Sequence, residues 1–346
     1  MTKQGASNFL EIGIGQNANN YAYIDFIGDT TYTDYGLRII RGNTGANAPS
    51  TIYHRGTGNL VLRTQEASAI NLQTNGSTSR LYVASGGDVG INQTNPEEKL
   101  HVTGNALIQN SVGNSLRLRT TVSNGNDSTL RFEKARGGNS TATIVQNNDD
   151  LGMINWAGYD GSDYSVGAQL YAEVDGTPGS GDVPTRLVFT TKPAGSSIQQ
   201  RMVIHTAGYI TKPHNPYFNA NANPSLDGNG VLYDFTNIPS NNGSHYNNST
   251  GKFTAPVAGF YWFSTGIWSS SAQGSPATNV ILSFVYKNLA GNTTTFGGCN
   301  VVDQYEQASA AAGVYMAAGA EVYIDTTNFQ IQASSPRNYF SGYLVG

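Results

Sequence analysis

The residues of this chain that could carry catalytic chemistry are few and scattered. Five histidines (His54, His101, His205, His214, His245) show neither an H-x-x-x-H nor a Cys/His spacing, so no zinc-type ligand set is present. Nucleophilic catalysis of the α/β-hydrolase kind uses a G-x-S-x-G elbow, and there is none. Glycan cleavage needs two carboxyl groups converging at about 5–10 Å. The adjacent pairs Glu97/Glu98 and Asp149/Asp150 would diverge on a strand, which assigns them to turns or solvated faces. Gly13-Ile14-Gly15 has the outline of a G-x-G-x-x-A dinucleotide fingerprint. No helical period follows it and no acid closes a second strand, so it reads as a turn between strands. Cys299, the single cysteine, excludes a disulfide framework and a cysteine-based metal site. The residues therefore point to a binding or structural protein rather than an enzyme.

The elements that must position any binding residues are strands. With 346 residues, two to three domains are expected. Only 12 % of residues are charged, about half the usual share, while glycine (41 residues), Asn, Ser and Thr are abundant. This suits short strands joined by tight turns, and surfaces that bind neutral or acidic sugars. The net charge is −4 and Lys and Arg form no basic run, so a nucleic-acid partner is not expected. Nothing approaches ~18 consecutive apolar residues, so no membrane span is expected. Within Thr250–Trp268 (TGKFTAPVAGFYWFSTGIW) a corner at Pro256–Gly259 leads into Phe260-Tyr261-Trp262-Phe263. An alternating strand has one wet face; this one has none, and predicts a cover on both sides. One cover is a sandwich core. The other, in a chain poor in helix signals, is another subunit.

The first two-thirds of the chain carry a weak repeat. Arg80-Leu81-Tyr82-Val83…Gly87-Asp88-Val89-Gly90 aligns with Arg201-Met202-Val203-Ile204…Gly208-Tyr209-Ile210, and LVLRT (60–64) upstream aligns with LVFTT (187–191). The unit is a strand, a glycine turn and a returning strand, and two copies predict two similar β-domains in series. The expected organisation is a first β-domain over 1–90, with strands near Ala22–Ile27, Leu37–Arg41 and Leu60–Arg63. A connector covers 91–110, with a turn or single helical turn at Pro96–Lys99. A second β-domain covers 111–210, with strands Leu116–Thr121, Thr129–Lys134, Met153–Trp156, Ala168–Val174 and Leu187–Thr190. The Pro/Asn-rich stretch 211–224 reads as a linker, and a head covers 225–346. Within the head, the alanine-rich Ser309–Ala320 reads as strands and a turn rather than a helix.

The head resembles a known family. HYNNSTGKFTAPVAGFYWFS is similar to the G-H-Y-x-x-x-T-G-K-F-x-x-P-x-x-G-x-Y-x-F signature of complement C1q-like globular heads, which share the tumour-necrosis-factor jelly roll. The agreement continues in order through Ile281–Lys287, Glu306–Val314, Ala317–Ile324 and Phe340–Leu344. The resemblance implies a trimer of ten-stranded jelly rolls used for binding. Upstream, GGDVGINQTNPEEKLHVTGNALI (86–108) resembles the V-G-I-G-T-x-x-P-x-x-K-L-H-V-x-G element of phage fibres and adhesin stalks, with Asn92 where that element has its second glycine. RMVIHTAGYITKPHNPYF (201–218) is similar to a joint that precedes the distal domain of phage structural proteins.

Together these resemblances imply an all-β, elongated homotrimeric phage fibre of serial β-sandwich-like domains ending in a C1q/TNF-like jelly roll. It would be held to other virion proteins at its N-terminal end and bind a host surface polysaccharide with its distal head. The start, MTKQGASNFLEI, lacks a basic-then-apolar leader, which fits a virion component released by lysis. A capsid-attached fibre and a fibre-borne polysaccharide depolymerase are the alternatives. In this architecture the loops Ser269–Thr278, Asp303–Gln307 and Asn328–Arg337 face the target. Their receptor-binding candidates are Gln304, Tyr305, Gln307, Asn328 and Arg337: aromatic rings stack on sugar faces, while amides and guanidinium groups bond hydroxyls. Trp268 and Phe329 lie at the same loops but read as packing residues. The family's apical calcium site would fall on Asp303 and Glu306, a thin oxygen set unless three chains contribute.

Overall fold

The structure is a computed structural model describing residues 2–4, 7–113, 116–138, 141–225, 230–269, 280–301, 306–327, 329, 331–332 and 336–346. Every regular element among them is a β-strand. The chain divides into two compact units, Met1–Arg117 and Leu118–Gly346.

The first unit holds a hairpin (Thr2–Gln4, Ser7–Phe9), a three-stranded sheet (Ala22–Phe26, Leu37–Arg41, Ser50–His54) and a four-stranded sheet (Ile70–Thr74, Thr78–Val83, Val89–Ile91, Leu100–Val102). In the three-stranded sheet Arg38 forms a bidentate pair with Asp25, its Nε lying 2.6 Å from Oδ1. The same guanidinium packs on the Tyr23 and Tyr35 rings at 4.5 and 4.0 Å. The four-stranded sheet crosses the expected boundary at 90/91. Leu100–Val102 pairs in parallel with Val89–Ile91, so the first part of the expected connector is a strand of this sheet. The segment between them folds back so tightly that a Cβ on Gly90 would meet the Gln93 carbonyl oxygen at 2.0 Å. Asn92 takes φ +54°, the left-handed conformation that asparagine tolerates in place of glycine. Pro96–Lys99 makes bends, not a helical turn.

Three expected strands are absent. Leu60–Arg63, Leu116–Thr121 and Thr129–Lys134 have no strand pairing. Their alternating side chains are present, but no described strand of the same chain pairs with them, and Leu62, Leu116 and Leu130 stay exposed. The sequence pattern marked apolar alternation correctly and could not supply the partner. Strands Ser50–His54 and Ile70–Thr74 are additions to the expected set.

The second unit begins with a five-stranded antiparallel meander: Asp150–Tyr159, Tyr164–Val174, Thr185–Thr191, Gln199–Ile204 and Ile210–Thr211. It contains the second copy of the repeated hairpin, and the two copies match in detail. Gly87 and Gly208 turn at φ +87° and +85°. Each donates its N–H back to a carbonyl three residues earlier, Ala84 and His205. Arg80 and Arg201 each occupy a bulge, between the register pairs Leu72↔Leu81 and Gln73↔Ser79 in one copy and Phe189↔Met202 and Thr190↔Gln200 in the other. Each bulged arginine donates from Nε to the threonine ending the preceding strand, Thr74 at 3.0 Å and Thr191 at 2.9 Å. The structural counterpart of 187–191 is therefore 70–74, not the expected 60–64.

The head is two facing sheets. One runs in the order Asn237–Asn242, Tyr217–Asn221, Tyr339–Leu344, Gly259–Trp268, Gln307–Met316. The other runs Tyr246–Asn247, Lys252–Thr254, Glu321–Thr327, Val280–Lys287, Thr293–Val301, with Gly230–Val231 added against Glu321–Thr327. This crossed order is that of a jelly roll. Phe218, Phe253, Tyr261, Phe263, Phe284 and Phe340 fill the space between the sheets, all fully or almost fully buried. Their rings pack edge to face, tilted and stacked, with Phe218–Phe340 edge-on at 4.8 Å and Phe218–Phe253 stacked at 5.2 Å, so each large ring adds geometry-specific contact to its apolar burial. The expected linker 211–224 is corrected here: Tyr217–Asn221 is an inner strand of the first sheet, with Phe218 and Ala220 in the core. Its Asn-rich composition hid a period of two. Ser309–Ala320 forms most of the Gln307–Met316 strand and the turn after it.

Candidate functional site

The Gly259–Trp268 strand runs from one end of the head to the other and fixes where everything lies. At its start, Phe260 N–H donates to the Gly346 carbonyl at 2.8 Å, and Tyr261 pairs with Leu344. Tyr217 pairs with Tyr343 at that same end, and Leu344 N–H donates to the Pro216 carbonyl. The chain thus joins the head and finishes its last strand at one end. Trp268 marks the other.

A buried asparagine organises this far end. Asn338, fully enclosed, accepts the Trp268 N–H on Oδ1 at 2.7 Å and donates from Nδ2 to the Gln332 carbonyl at 2.9 Å. Gln332 N–H in turn donates to the Trp268 carbonyl at 2.8 Å. The strand end is therefore clamped to the segment preceding Tyr339–Leu344. On this clamp the Arg337 guanidinium lies 4.2 Å above the Trp268 ring. The Gln307 amide donates to the Arg337 carbonyl at 3.4 Å. Gln307 and the Tyr339 ring meet over Gly266, where a Cβ would come within 2.4 Å of the amide nitrogen. Ser269 N–H donates to the Glu306 carbonyl at 2.9 Å.

Of the expected receptor-binding residues, Gln307 and Arg337 are brought together and exposed, with half-buried Trp268 beneath the arginine. Gln304, Tyr305 and Asn328 lie outside the described residues. Phe329 is buried in the core, as a packing residue. Asn338 was missed. Only its place just before an alternating strand hinted at a cap, and nothing in the sequence announced its burial. Of the expected calcium pair, Asp303 lies outside the described residues and Glu306 is exposed. No group of three or more His, Cys, Asp or Glu that could hold a metal occurs among the described residues.

The acids weighed for catalysis are also placed. Asp149 is held by Arg136 in a bidentate pair at 2.6 Å, and with the Gln146 N–H this keeps its carboxyl well below the usual range. Glu97 and Glu98 are exposed in bends. Burial pushes the Cys299 thiol up, which disfavours the reactive thiolate. The far-end cluster itself offers a cation, amide donors and an aromatic face, the chemistry of hydrogen bonding and stacking.

The aromatic run that demanded two covers divides by parity. Tyr261 and Phe263 are fully buried, while Phe260 and Trp262 remain 41 % and 38 % exposed. Register places Tyr217, Tyr343 and Trp262 in one row across the sheet, with Phe260 opposite Tyr315 in the neighbouring row. All five point away from the core and are exposed, so within one chain the outer face of this sheet lacks a cover among the described residues.

Comparison with known proteins finds similarity in this part of the chain. Residues 218–345 match the family model for the C1q domain. Among solved structures, the globular domain of zebrafish complement 1qA protein is similar at 18 % identity and a TM-score of 0.27, covering 38 % of this chain and 98 % of that one. Murine APRIL is similar at 12 % identity and a TM-score of 0.30, covering 38 % of this chain and 98 % of that one. The crossed strand order and the aromatic core lie within the stretch that the C1q family model matches, so the C-terminal part of this all-β chain is similar to a C1q domain.

Proposed function

We propose that the protein is a phage structural fibre or adhesin, a homotrimer that binds a bacterial surface polysaccharide through the far end of its C-terminal head. The other virion proteins would hold it at the N-terminal end. The observation that carries this reading is the cluster of Trp268, Gln307 and Arg337 at the end of the head opposite the one where the chain joins it. Exposed amide and guanidinium donors beside an aromatic ring suit sugar hydroxyls and ring faces. Gln304, Tyr305 and Asn328 belong to the same loops by sequence and extend the reading. Trimerisation is supported by the uncovered aromatic face, since C1q/TNF-family domains commonly associate as trimers.

The test is isothermal titration of the purified protein with host surface polysaccharide. Binding is expected, with a fall of about tenfold or more when Arg337→Ala and Gln307→Ala are combined, the range for losing one or two well-placed polar contacts. Unchanged affinity in that variant would overturn the assignment of the far end. New reducing ends or unsaturated products in the same mixture would replace the adhesin with a depolymerase.

A further inference from the structure

A polar concavity lies on the outer face of the other head sheet, lined by none of the far-end residues. Its floor is set by register. Tyr323 stands between Lys252 and Val285, and Thr295 follows Val285 on the next strand. In the adjacent row Asp325 stands between Val231 and Ser283. The short Gly230–Val231 strand forms one wall and Thr293, Thr294 and Thr295 form the other, enclosing a cavity of about 240 Å³. Alternation along Glu321–Thr327 sends Val322 and Ile324 into the core and leaves Tyr323 and Asp325 facing this space.

The charge pattern selects the ligand class. Lys252 and Lys287 both pair with Glu321, at 3.3 and 3.1 Å, and the Lys252 ammonium also lies 5.4 Å from the centre of the Tyr323 ring, at its Glu321 side. Asp325 takes part in no ion pair among the described residues. Two cations and two carboxylates cancel over the face, which favours neither an anion nor a cation. Burial raises the Asp325 carboxyl above its ordinary range, and the Thr326 N–H partly offsets this. A half-buried acceptor facing a threonine wall across the cavity, with an aromatic ring beside it, matches a ligand rich in hydroxyl groups with one apolar face. We propose that this groove is a neutral-saccharide subsite, with Asp325 accepting sugar hydroxyls, the threonines bonding their neighbours and Tyr323 packing against the ring.

Saturation-transfer NMR on the full chain, with the methyl α-pyranosides of glucose, galactose and mannose as probes, tests it. Transfer to at least one glycoside is expected, lost in Asp325→Ala and reduced in the isosteric Thr295→Val. Melting temperatures of both variants establish that the head still folds; Thr295→Val, an exposed hydroxyl-to-methyl change, is expected to leave it unchanged. The Arg337→Ala/Gln307→Ala protein is expected to keep the signal, which separates this groove from the far-end reading. No transfer from any glycoside overturns the proposal. So does transfer that survives both groove substitutions, or that vanishes with the far-end pair alone.

Discussion

Asn338 shows what one enclosed amide can do for a loop-bearing end. It satisfies the Trp268 N–H and the Gln332 carbonyl at once. Asn338→Ala removes both bonds from an enclosed position and is expected to cost about 1–3 kcal/mol, read as a lower denaturant midpoint for the head. The polysaccharide affinity should fall with it, because Trp268 supports Arg337. Tyr246 is the opposite case. Its ring stacks on Phe218 at 4.6 Å, yet its hydroxyl is buried without a hydrogen-bond partner among the described residues, and burial pushes its pKa far up. Tyr246→Phe removes that unpaired group and keeps the ring, so calorimetry is expected to show an equal or higher melting temperature. Neither role is legible from residue type: each depends on what surrounds the atom after folding.

At the scale of elements, the sequence revealed several strands in which apolar alternation coincided with a neighbour in the same chain. Leu37–Arg41 and the Arg80 and Arg201 hairpins are examples. It missed Ser50–His54 and Ile70–Thr74, which also pair within the chain. It failed where composition masked the period, as in Tyr217–Asn221, and where alternation had no pairing strand, as in Leu116–Thr121. The far-end cluster was half legible, because the resemblance located the loops but not the clamp beneath them. The meander also carries a pH expectation. Asp149, bonded by Arg136, and Asp160, held at about 2 by the N–H groups of Asp163 and Ser162, are depressed in the folded state. A depressed carboxylate stabilises fully above its unfolded pKa of about 3.9 and loses that contribution as pH falls through the folded value. Stability should therefore be level above about pH 4–5 and decline below it, checked by melting curves across an acid series. Asp149→Asn should flatten part of that decline. A curve unchanged by the substitution would remove Asp149 from the account.

For the whole molecule, the decisive contrast is where apolar side chains go. The head encloses a continuous aromatic core, whereas the described residues before it bury few apolar side chains, among them Val174, Val188 and Val203. Large apolar residues such as Leu107, Val112 and Leu116 remain exposed there, an arrangement that further copies of the chain would relieve. Light scattering is expected to give three copies of the 36.8-kDa chain. Trp262→Asp places a charge on the outer aromatic face without touching the core, and is expected to make that mass fall on dilution. A trimeric mass at every concentration would show that this face is not the contact. The way the last strand closes beside Pro216 and Tyr217 has a practical corollary. Anything fused after Gly346 emerges at the joining end, so a sensor surface that captures the protein there leaves Trp268 and Arg337 facing the analyte. Capture chemistry aimed at the opposite end would mask the very groups whose binding is to be measured.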